Sequence, residues 1–228
     1  MPKVAIVQNI LAANDTLAQE IRERLAERGI RALNLMSAPG AGKTTLLERT
    51  IAQVRGKLTI GVVEGDVETS NDAERIEAAG AQTVQINTQG ACHLEAHMVR
   101  AAMNQLDLTS LDLLVIENIG NLVCPAGWQL GEAASAVVVS TTEGDDKPAK
   151  YPAIFAAAQV MIVNKLDLLP YVDYDVEKVK RQALAVNSRL RIFELSCRTG
   201  DGLDAWCDWL EAFAHAAEGE AAPMQVRG

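Results

Sequence analysis

Hydrophobic residues in this chain fall into short, solidly apolar runs that alternate with segments in which they recur every three or four positions. The short runs are typical of buried strands, and the recurring pattern is typical of helices with one apolar face. Predicted strands cover residues 33–36, 58–64, 83–86, 113–117, 136–140, 160–164 and 191–195. Predicted helices cover residues 14–29, 43–53, 72–79, 93–104, 175–186 and 203–215. This alternation predicts an α/β fold with a doubly wound, mostly parallel sheet.

The two ends of the chain set the expected domain limits. Asn14 and Asp15 are suitable N-cap residues, so the first helix is expected to begin there and to end at Gly29. Residues 1–216 are predicted to form a single domain with this helix at its N-terminus, since 228 residues suit one domain with extensions. The segment 217–228 is rich in Ala, Glu and Gly and is expected to be disordered.

Composition and charge narrow the class of protein. Hydrophobic residues make up 49% of the chain and aromatic residues only 4%, which suits a parallel sheet covered by helices. The net charge of -9 disfavours nucleic acid as a partner. No apolar run approaches the roughly 18 residues of a membrane span, and the first residues, Met1-Pro2-Lys3, lack a secretory signal. We therefore expect a cytoplasmic protein with no membrane partner, whose four cysteines are free thiols or metal ligands.

A glycine-rich turn lies between the first predicted strand and the second predicted helix, in residues 37–44, Ser-Ala-Pro-Gly-Ala-Gly-Lys-Thr. Glycines let backbone N–H groups turn toward phosphates, and the helix N-terminus adds positive potential. Lys43 would reach the β- and γ-phosphates, and the Thr44 hydroxyl would bind Mg²⁺. Ser37 stands where the usual P-loop motif has glycine, and an ordinary strand–helix turn is the alternative. The predicted phosphate contacts are Gly40, Ala41, Gly42, Lys43, Thr44 and Thr45.

Carboxylates that could hold Mg²⁺ or the attacking water follow two of the predicted strands. Glu117 ends one of them, where most related enzymes carry Asp, and the N–H of Gly120 could sense a γ-phosphate. Asp66 follows the apolar run at 60–65. Asp72 is a third candidate, although it could equally be a helix N-cap. The predicted catalytic residues are Lys43, Asp66 and Glu117, and the predicted Mg²⁺ ligands are Thr44, Asp66, Asp72 and Glu117.

Asn164-Lys165-Leu166-Asp167 follows the sixth predicted strand and indicates selection of guanine. The Asp167 carboxylate can accept both the N1–H and the exocyclic amine of guanine, whereas adenine offers a bare N1 there. Lys165 can cover the base, and Asn164 can tie this loop to the phosphate loop. The predicted contacts at the base end are Asn164, Lys165, Asp167, Ser196, Cys197 and Arg198. Together with the phosphate loop, they predict a P-loop GTPase that binds GTP, GDP and Mg²⁺.

A second site is predicted from thiol and imidazole groups. Cys92 and His93 lie just before a predicted helix, and Cys124 lies seven residues beyond Glu117. Such ligands suit Ni²⁺ or Zn²⁺, and the position of Cys124 would let the bound nucleotide influence the site. The alternative is two buried cysteines and solvated histidines, including His97. Three ligands leave a tetrahedral or square-planar set incomplete, and a twofold dimer would complete it.

Five segments resemble the HypB family of GTPases, which assist nickel insertion into nickel–iron hydrogenase. They are residues 37–44 (quoted above), 64–75 (Glu-Gly-Asp-Val-Glu-Thr-Ser-Asn-Asp-Ala-Glu-Arg), 92–96 (Cys-His-Leu-Glu-Ala), 117–125 (Glu-Asn-Ile-Gly-Asn-Leu-Val-Cys-Pro) and 147–152 (Lys-Pro-Ala-Lys-Tyr-Pro). The resemblance covers nearly the whole chain, and Cys92, His93 and Cys124 match the family's metal ligands. His97 does not belong to that pattern.

The resemblance implies a SIMIBI-like GTPase that acts as a nucleotide- and metal-dependent homodimer, with a metal site shared across the interface. It implies that Lys147 reaches toward the partner's nucleotide, although a solvated loop lysine is the alternative. It also implies two protein partners, a HypA-like metallochaperone and the precursor of the hydrogenase large subunit. The first 91 residues contain no Cys or His, so the extra N-terminal nickel motifs of some members are not expected.

Three other functions compete with this prediction. A urease-type nickel GTPase would carry Cys-Pro-His, but Ala126 follows Cys124-Pro125. A P-loop small-molecule kinase would need an acceptor-binding lid, which is not evident, and would not need the guanine motif. A metal-binding protein with a vestigial nucleotide fold is disfavoured by intact Lys43, Thr44 and Asp167. The expected reaction is in-line attack of water on the γ-phosphate, and it is expected to be slow, because no catalytic Gln or Arg is evident.

Overall fold

The computed structural model describes the backbone of residues 3–66, 71–88 and 90–216, and the side chains of residues 9–65, 72–88 and 90–216. The segment 217–228, expected to be disordered, lies outside the described residues. Within these ranges, seven parallel strands form one sheet in the order β3-β2-β4-β1-β5-β6-β7. They are β1 (Arg31–Ser37), β2 (Ile60–Asp66), β3 (Gln82–Asn87), β4 (Leu113–Glu117), β5 (Ala134–Ser140), β6 (Val160–Asn164) and β7 (Arg191–Glu194).

Helices cover both faces of this sheet. They are α1 (Lys3–Ala26), α2 (Lys43–Gln53), α3 (Asn71–Ala79), α4 (Ala96–Met103), α5 (Lys147–Lys150), α6 (Pro152–Ala157), α7 (Val176–Val186) and α8 (Leu203–His215). The predicted α/β class with a doubly wound parallel sheet is confirmed. None of the helices in the described part of the chain is long and apolar enough to cross a membrane.

Alternation along the strands places one set of side chains on each face of the sheet. In β4, Leu113 and Val115 pack into the core under α2 and α8, whereas Leu114 and Ile116 pack into the core under α1 and α4. A third cluster lies on the side of α6 and α7. Strands buried on both faces explain why the sequence shows continuous apolar runs instead of alternation.

The central strand β1 is flanked by β4 and β5. In doubly wound sheets, ligands bind at the carboxyl ends of the strands where the strand order reverses. The loop after β1, which precedes α2, and the loop after β4 lie at this edge. The topology therefore brings the glycine-rich turn and the Glu117 segment together.

The expected start of the first helix at Asn14 or Asp15 is wrong, because α1 runs from Lys3 to Ala26. Asn14 is buried within it, and its side chain serves distant segments. Its Nδ2 donates to the carbonyl of Gln129 at 2.8 Å, and its Oδ1 accepts from the N–H of Ala96 at 2.8 Å. Asn14 therefore bonds residues that are distant in the chain, and it does not cap its own helix as its residue type suggested.

The expected helix over residues 93–104 begins three residues later, at Ala96. Glu95 is the N-cap residue in an extended conformation, and its side chain makes no capping bond. Asn14 of α1 supplies that bond to Ala96 instead. Cys92 and His93 therefore lie in a loop before α4 and not in its first turn.

Candidate nucleotide and metal sites

Two glycines at the carboxyl edge of the sheet, one in the loop after β1 and one in the loop after β4, allow neighbouring loops to approach closely. Gly42 has φ of 98°, in the left-handed region that favours glycine. A Cβ there would lie 2.7 Å from Asn164 Nδ2, and a Cβ at Gly120 would lie 2.9 Å from Pro39 Cα. The loops after β1, β4 and β6 thus approach each other so closely that these positions exclude side chains.

Lys43 begins α2 and points back toward this loop. Its Nζ donates to Ser37 Oγ at 2.9 Å, so the serine that departs from the usual motif contacts the lysine directly. Burial lowers the pKa of Lys43, while the nearby carboxylates, of which Glu117 and Asp72 contribute most, oppose that effect. The ammonium group is therefore held in a buried, acidic environment.

Thr44 lies between two carboxyl groups. Its Oγ1 lies 2.9 Å from Glu117 Oε1 and 3.0 Å from Asp72 Oδ2. Burial raises the pKa of Glu117 to about 7, although Lys43 opposes this effect. Among the described side chains, Glu117 Oε2 has no hydrogen-bond partner. A hydroxyl and two carboxyl groups, one of them with a free buried oxygen, are a donor set that fits Mg²⁺.

Asp72 lies within the first turn of α3, which begins at Asn71. Its side chain contacts Thr44 and also Arg75, whose Nη1 lies 3.1 Å from Asp72 Oδ1. The side chain of Asp66, the remaining predicted carboxylate, lies outside the described residues.

Lys43, Thr44, Asp72 and Glu117 line a cavity of about 520 Å³. Its lining includes two charged residues that were not predicted, Glu64 and Arg75. Glu64 is buried in β2 and lies opposite Glu117 in the register of β2 and β4, so two acidic side chains lie side by side on neighbouring strands. Arg75 bonds Thr45 and Glu48 of α2 at 3.2 and 2.6 Å. A glutamate inside a predicted apolar strand is the signal that could have identified Glu64.

Asn164 joins the phosphate loop to the predicted guanine loops. Its Nδ2 donates to the carbonyl of Ala41 at 3.0 Å, and its Oδ1 accepts from the N–H groups of Lys165 and Cys197 at 2.7 and 3.3 Å. Lys165 has φ of 64°, an uncommon conformation for a residue with a side chain. Its Nζ donates to the carbonyl of Gly40 at 2.7 Å.

Asp167 faces the loop after β7. Its Oδ1 accepts from Ser196 Oγ at 2.6 Å, and its Oδ2 lies 3.9 Å from Arg198 Nη1. Ser196 Oγ also accepts from the N–H of Arg198. Cys197, between them, is buried, and burial raises its pKa to about 11. These contacts hold the Asp167 carboxylate in one orientation.

Lys147 begins the short helix α5 and does not line the cavity. Its Nζ lies 3.8 Å from Glu143 Oε2 and 5.8 Å from the ring centre of Tyr151. Burial raises the pKa of Glu143, an effect that Lys147 opposes. The structure describes one chain, so the predicted reach of Lys147 toward a partner's nucleotide stays a prediction.

Cys92, His93 and Cys124 form the second site. One ligand atom from each of the three lies within 4.8 Å of the others, and Cys92 Sγ lies 3.4 Å from His93 Nδ1. A hydrogen bond with Cys124, together with burial, raises the pKa of the Cys92 thiol. Two thiols and an imidazole are a donor set that fits Ni²⁺ or Zn²⁺.

Trp128, which was not predicted, packs against this cluster. Its ring centre lies 4.5 Å from that of His93, and burial lowers the pKa of His93. His97 is exposed in α4, where its Nδ1 lies 3.3 Å from Glu95 Oε2, and it is not part of the cluster. His93 is therefore packed against Trp128, whereas His97 is exposed to solvent.

This chain is similar to known proteins of one family. The family model described as "CobW/HypB/UreG, nucleotide-binding domain" matches residues 31–194. The hydrogenase maturation factor HypB of Rhizobium leguminosarum bv. viciae is 50% identical over 211 residues, which are 92% of this chain and 71% of that protein.

Two solved structures are similar over almost their whole length. HypB from Archaeoglobus fulgidus has 43% sequence identity and a TM-score of 0.84, and the match covers 90% of this chain and 100% of that one. HypB from Helicobacter pylori in complex with nickel has 37% identity and a TM-score of 0.84, covering 92% and 100%. The family model and these relatives together show that the chain belongs to the HypB family of hydrogenase maturation factors.

Proposed function

We propose that this hydrogenase maturation factor hydrolyses GTP to GDP and phosphate and uses the reaction as a switch in nickel delivery to nickel–iron hydrogenase. The observation that carries the GTP assignment is the set of contacts made by Asn164. One amide group bonds both the phosphate loop, at Ala41, and the loop before Arg198, at Cys197. These bonds tie the phosphate loop to the loop after β7, which contacts Asp167 through Ser196, and so support a phosphate cradle and a guanine-binding carboxylate that act together.

The base end supports guanine as the ligand. Ser196 holds Asp167 Oδ1, which leaves the carboxylate oriented to accept the N1–H and the exocyclic amine of guanine. Adenine would leave those acceptors without donors, which costs the desolvation of a buried charge. Lys165 Nζ bonds the phosphate loop at Gly40, and Arg198 Nη1 lies 3.9 Å from Asp167 Oδ2. The base would lie between these two side chains.

The phosphate end supports hydrolysis. The N–H groups of Gly40, Ala41, Gly42 and the start of α2, with Lys43, would bind the β- and γ-phosphates. Thr44, Asp72 and Glu117, with Asp66, would hold Mg²⁺, which supplies charge neutralisation to the phosphates when bound. Glu117 and Asp66 are also the candidates for orienting the attacking water, while Gly120 N–H would bind the γ-phosphate.

The thiol cluster supports a metal cargo. Cys92, His93 and Cys124 offer three ligands from one chain, and Ni²⁺ or Zn²⁺ needs a fourth. A second copy of the chain would complete the set across a twofold interface, to which Lys147 would contribute. Family membership supports the expected partners, a HypA-like metallochaperone and the hydrogenase large-subunit precursor.

The decisive experiment measures phosphate release from GTP and ATP in the presence of Mg²⁺ by protein stripped of nickel and zinc. Ni²⁺ is then added, and metal content and oligomeric state are measured in GDP and in a non-hydrolysable GTP analogue. We expect turnover of GTP but not of ATP, and a metal-bound dimer whose abundance depends on the nucleotide. Phosphate transfer to an added small-molecule acceptor instead of water would indicate a kinase. Release of phosphate from GTP with no change in metal content or oligomeric state would disprove the switch.

A further inference from the structure

Asn118 lies between Glu117 and the Ile119-Gly120 segment, and its side chain is buried. Its Oδ1 accepts two hydrogen bonds, from the N–H of Ile119 at 3.0 Å and from the N–H of Leu94 at 3.2 Å. The first bond lies within the loop after β4. The second crosses to the loop that carries two of the thiol-cluster ligands. One carbonyl oxygen thus joins the two sites.

Leu94 directly follows Cys92 and His93, and it is fully buried. A Cβ added to Gly65, near the end of β2, would lie 2.9 Å from Leu94 Cδ2, so the leucine packs directly against that strand. A tightly packed residue transmits displacement of its backbone instead of absorbing it. Any shift that Asn118 imposes on the Leu94 N–H would therefore move the neighbouring metal ligands.

The amide nitrogen of Asn118 begins a series of hydrogen bonds that extends to the segment beyond Cys124. Asn118 Nδ2 donates to Asn34 Oδ1 at 3.3 Å, and Asn34 Nδ2 donates to Glu132 Oε1 at 3.3 Å. Glu132 Oε2 in turn accepts from the N–H of Leu130 at 2.7 Å. Leu130 lies two residues after Trp128, which packs on His93. The buried network therefore reaches the metal cluster from both sides.

We propose that Asn118 is the positioning residue that couples the nucleotide site to the Cys92–His93–Cys124 cluster. This inference rests on the proposed function, because it assigns a path to the proposed switch. A γ-phosphate that binds the Gly120 N–H draws the 118–120 segment toward the phosphate loop. That movement alters the Asn118–Leu94 bond and, with it, the separation between Cys92 and Cys124. The coupling is reciprocal, so the metal also biases nucleotide binding.

Asn14 provides a matched control. It is also a buried asparagine, and it also accepts a hydrogen bond close to the metal ligands, from the N–H of Ala96 at the start of α4, directly after their loop. Its other partner is the carbonyl of Gln129, which lies outside the nucleotide loops. Asn14 therefore supports the loop without connecting it to the γ-phosphate segment. Loss of Asn14 should weaken metal binding about equally in every nucleotide state.

The test is titration of Ni²⁺ into the full chain with GDP and with a non-hydrolysable GTP analogue, for the wild type, Asn118→Ala and Asn14→Ala. We expect the two wild-type affinities to differ by at least about fivefold, the lower end of typical allosteric coupling. Asn118→Ala should bring that ratio within about twofold of one, while Asn14→Ala should retain it. A wild-type ratio retained in Asn118→Ala would overturn the inference and leave the switch intact. A ratio of one in the wild type would overturn both.

Amide hydrogen exchange in the metal-free wild type tests the same path without a substitution, and so does not depend on the folding of a variant. Protection of the Leu94 N–H should differ between the GDP and GTP-analogue forms, whereas protection of the Ala96 N–H should not. Equal protection of Leu94 in both forms would show that its bond to Asn118 does not respond to the nucleotide, and the inference would fail.

Discussion

The phosphate end of the cavity and the thiol cluster differ in how completely one chain builds them. Lys43 is half-buried and Thr44 is buried, and they already contact Ser37, Glu117 and Asp72. Cys92 is exposed, and its cluster offers three ligand atoms. A preorganised, water-poor site strengthens electrostatic stabilisation of a reaction, whereas an open, incomplete ligand set allows a metal to be received and released. We therefore expect most of the phosphate-binding groups to come from one chain, and the metal ligand set to be completed by a second chain.

The largest expected effect comes from breaking the phosphate end. Lys43→Ala should reduce GTP hydrolysis by about 10²–10³-fold, since it removes preorganised charge at the β- and γ-phosphates. Phosphate release under saturating GTP measures the loss. Lys150→Ala is the control, because that lysine is exposed and paired with Asp146. Undiminished turnover by Lys43→Ala would show that hydrolysis occurs elsewhere.

Breaking the thiol cluster should leave the phosphate end intact. The double variant Cys92→Ala/Cys124→Ala should lose Ni²⁺ affinity by more than the roughly 10–100-fold cost of an outer-shell contact, while His97→Ala should change it little. Binding in the wild type should weaken at acid pH, as protons compete for the thiolates. Titration of Ni²⁺ at several pH values measures both effects. Stoichiometric metal in the double variant would place the site elsewhere.

A substitution of Asp167 alters the guanine end of the nucleotide site without changing any residue of the phosphate end or of the thiol cluster. Asp167→Asn should weaken GDP binding by about 100-fold through the loss of charged hydrogen bonds, and should shift preference toward xanthine, whose carbonyl can accept from the new amide. Calorimetry with GDP and XDP gives both affinities. Asp173→Asn is the control, because Asp173 is an exposed aspartate in the same stretch of chain. Wild-type affinity for GDP in Asp167→Asn would contradict the guanine assignment.

The burial of Glu117, at the phosphate end, is expected to make the stability of the folded protein depend on pH. The folded state holds this proton more tightly than the unfolded chain, because burial raises the pKa from 4.5 to about 7. The stabilisation is therefore complete below about pH 4.5 and is lost as pH rises through 7, by on the order of 2–3 kcal/mol. Chemical denaturation of the nucleotide- and metal-free protein at pH 5 and 8 measures it.

Glu117→Gln should remove most of this pH dependence, because the amide stays neutral at every pH, whereas the exposed Glu27→Gln should leave it unchanged. The same decrease in stability in the wild type and in Glu117→Gln would assign the effect to another group.

The smallest expected effect concerns completion of the metal site by a second chain. Lys147→Ala should weaken dimerisation several-fold in the presence of a GTP analogue and leave the metal-free, GDP-bound protein unchanged, as expected for a partly exposed charge pair. Sedimentation at low protein concentration measures the change. Lys150→Ala, on the same helix, is the control. Normal dimerisation of Lys147→Ala would end the proposal that Lys147 reaches across the interface.

The sequence by itself determined the fold class and the residues that meet at the cavity edge. Solid apolar strands, each followed by a helix, are sufficient to predict a parallel sheet, and parallel strands place their carboxyl ends on one edge. Glu117 and Asn164 could be found because each ends a strand, and Lys43 and Thr44 because they begin the helix that follows the glycine-rich turn after β1. Their proximity follows from topology and needs no knowledge of side-chain packing.

Only the tertiary structure decided which distant groups support those residues. Asn14 looked like a helix cap but lies in the middle of α1, where it bonds Ala96 and Gln129. Glu64, Trp128 and Asn118 acquire their positions from neighbouring strands and loops that are remote in the chain. Periodicity reports contacts within a turn or a strand, whereas the partner of a buried polar group is set by the way separate elements pack. The path between the two sites is therefore visible only in the folded chain.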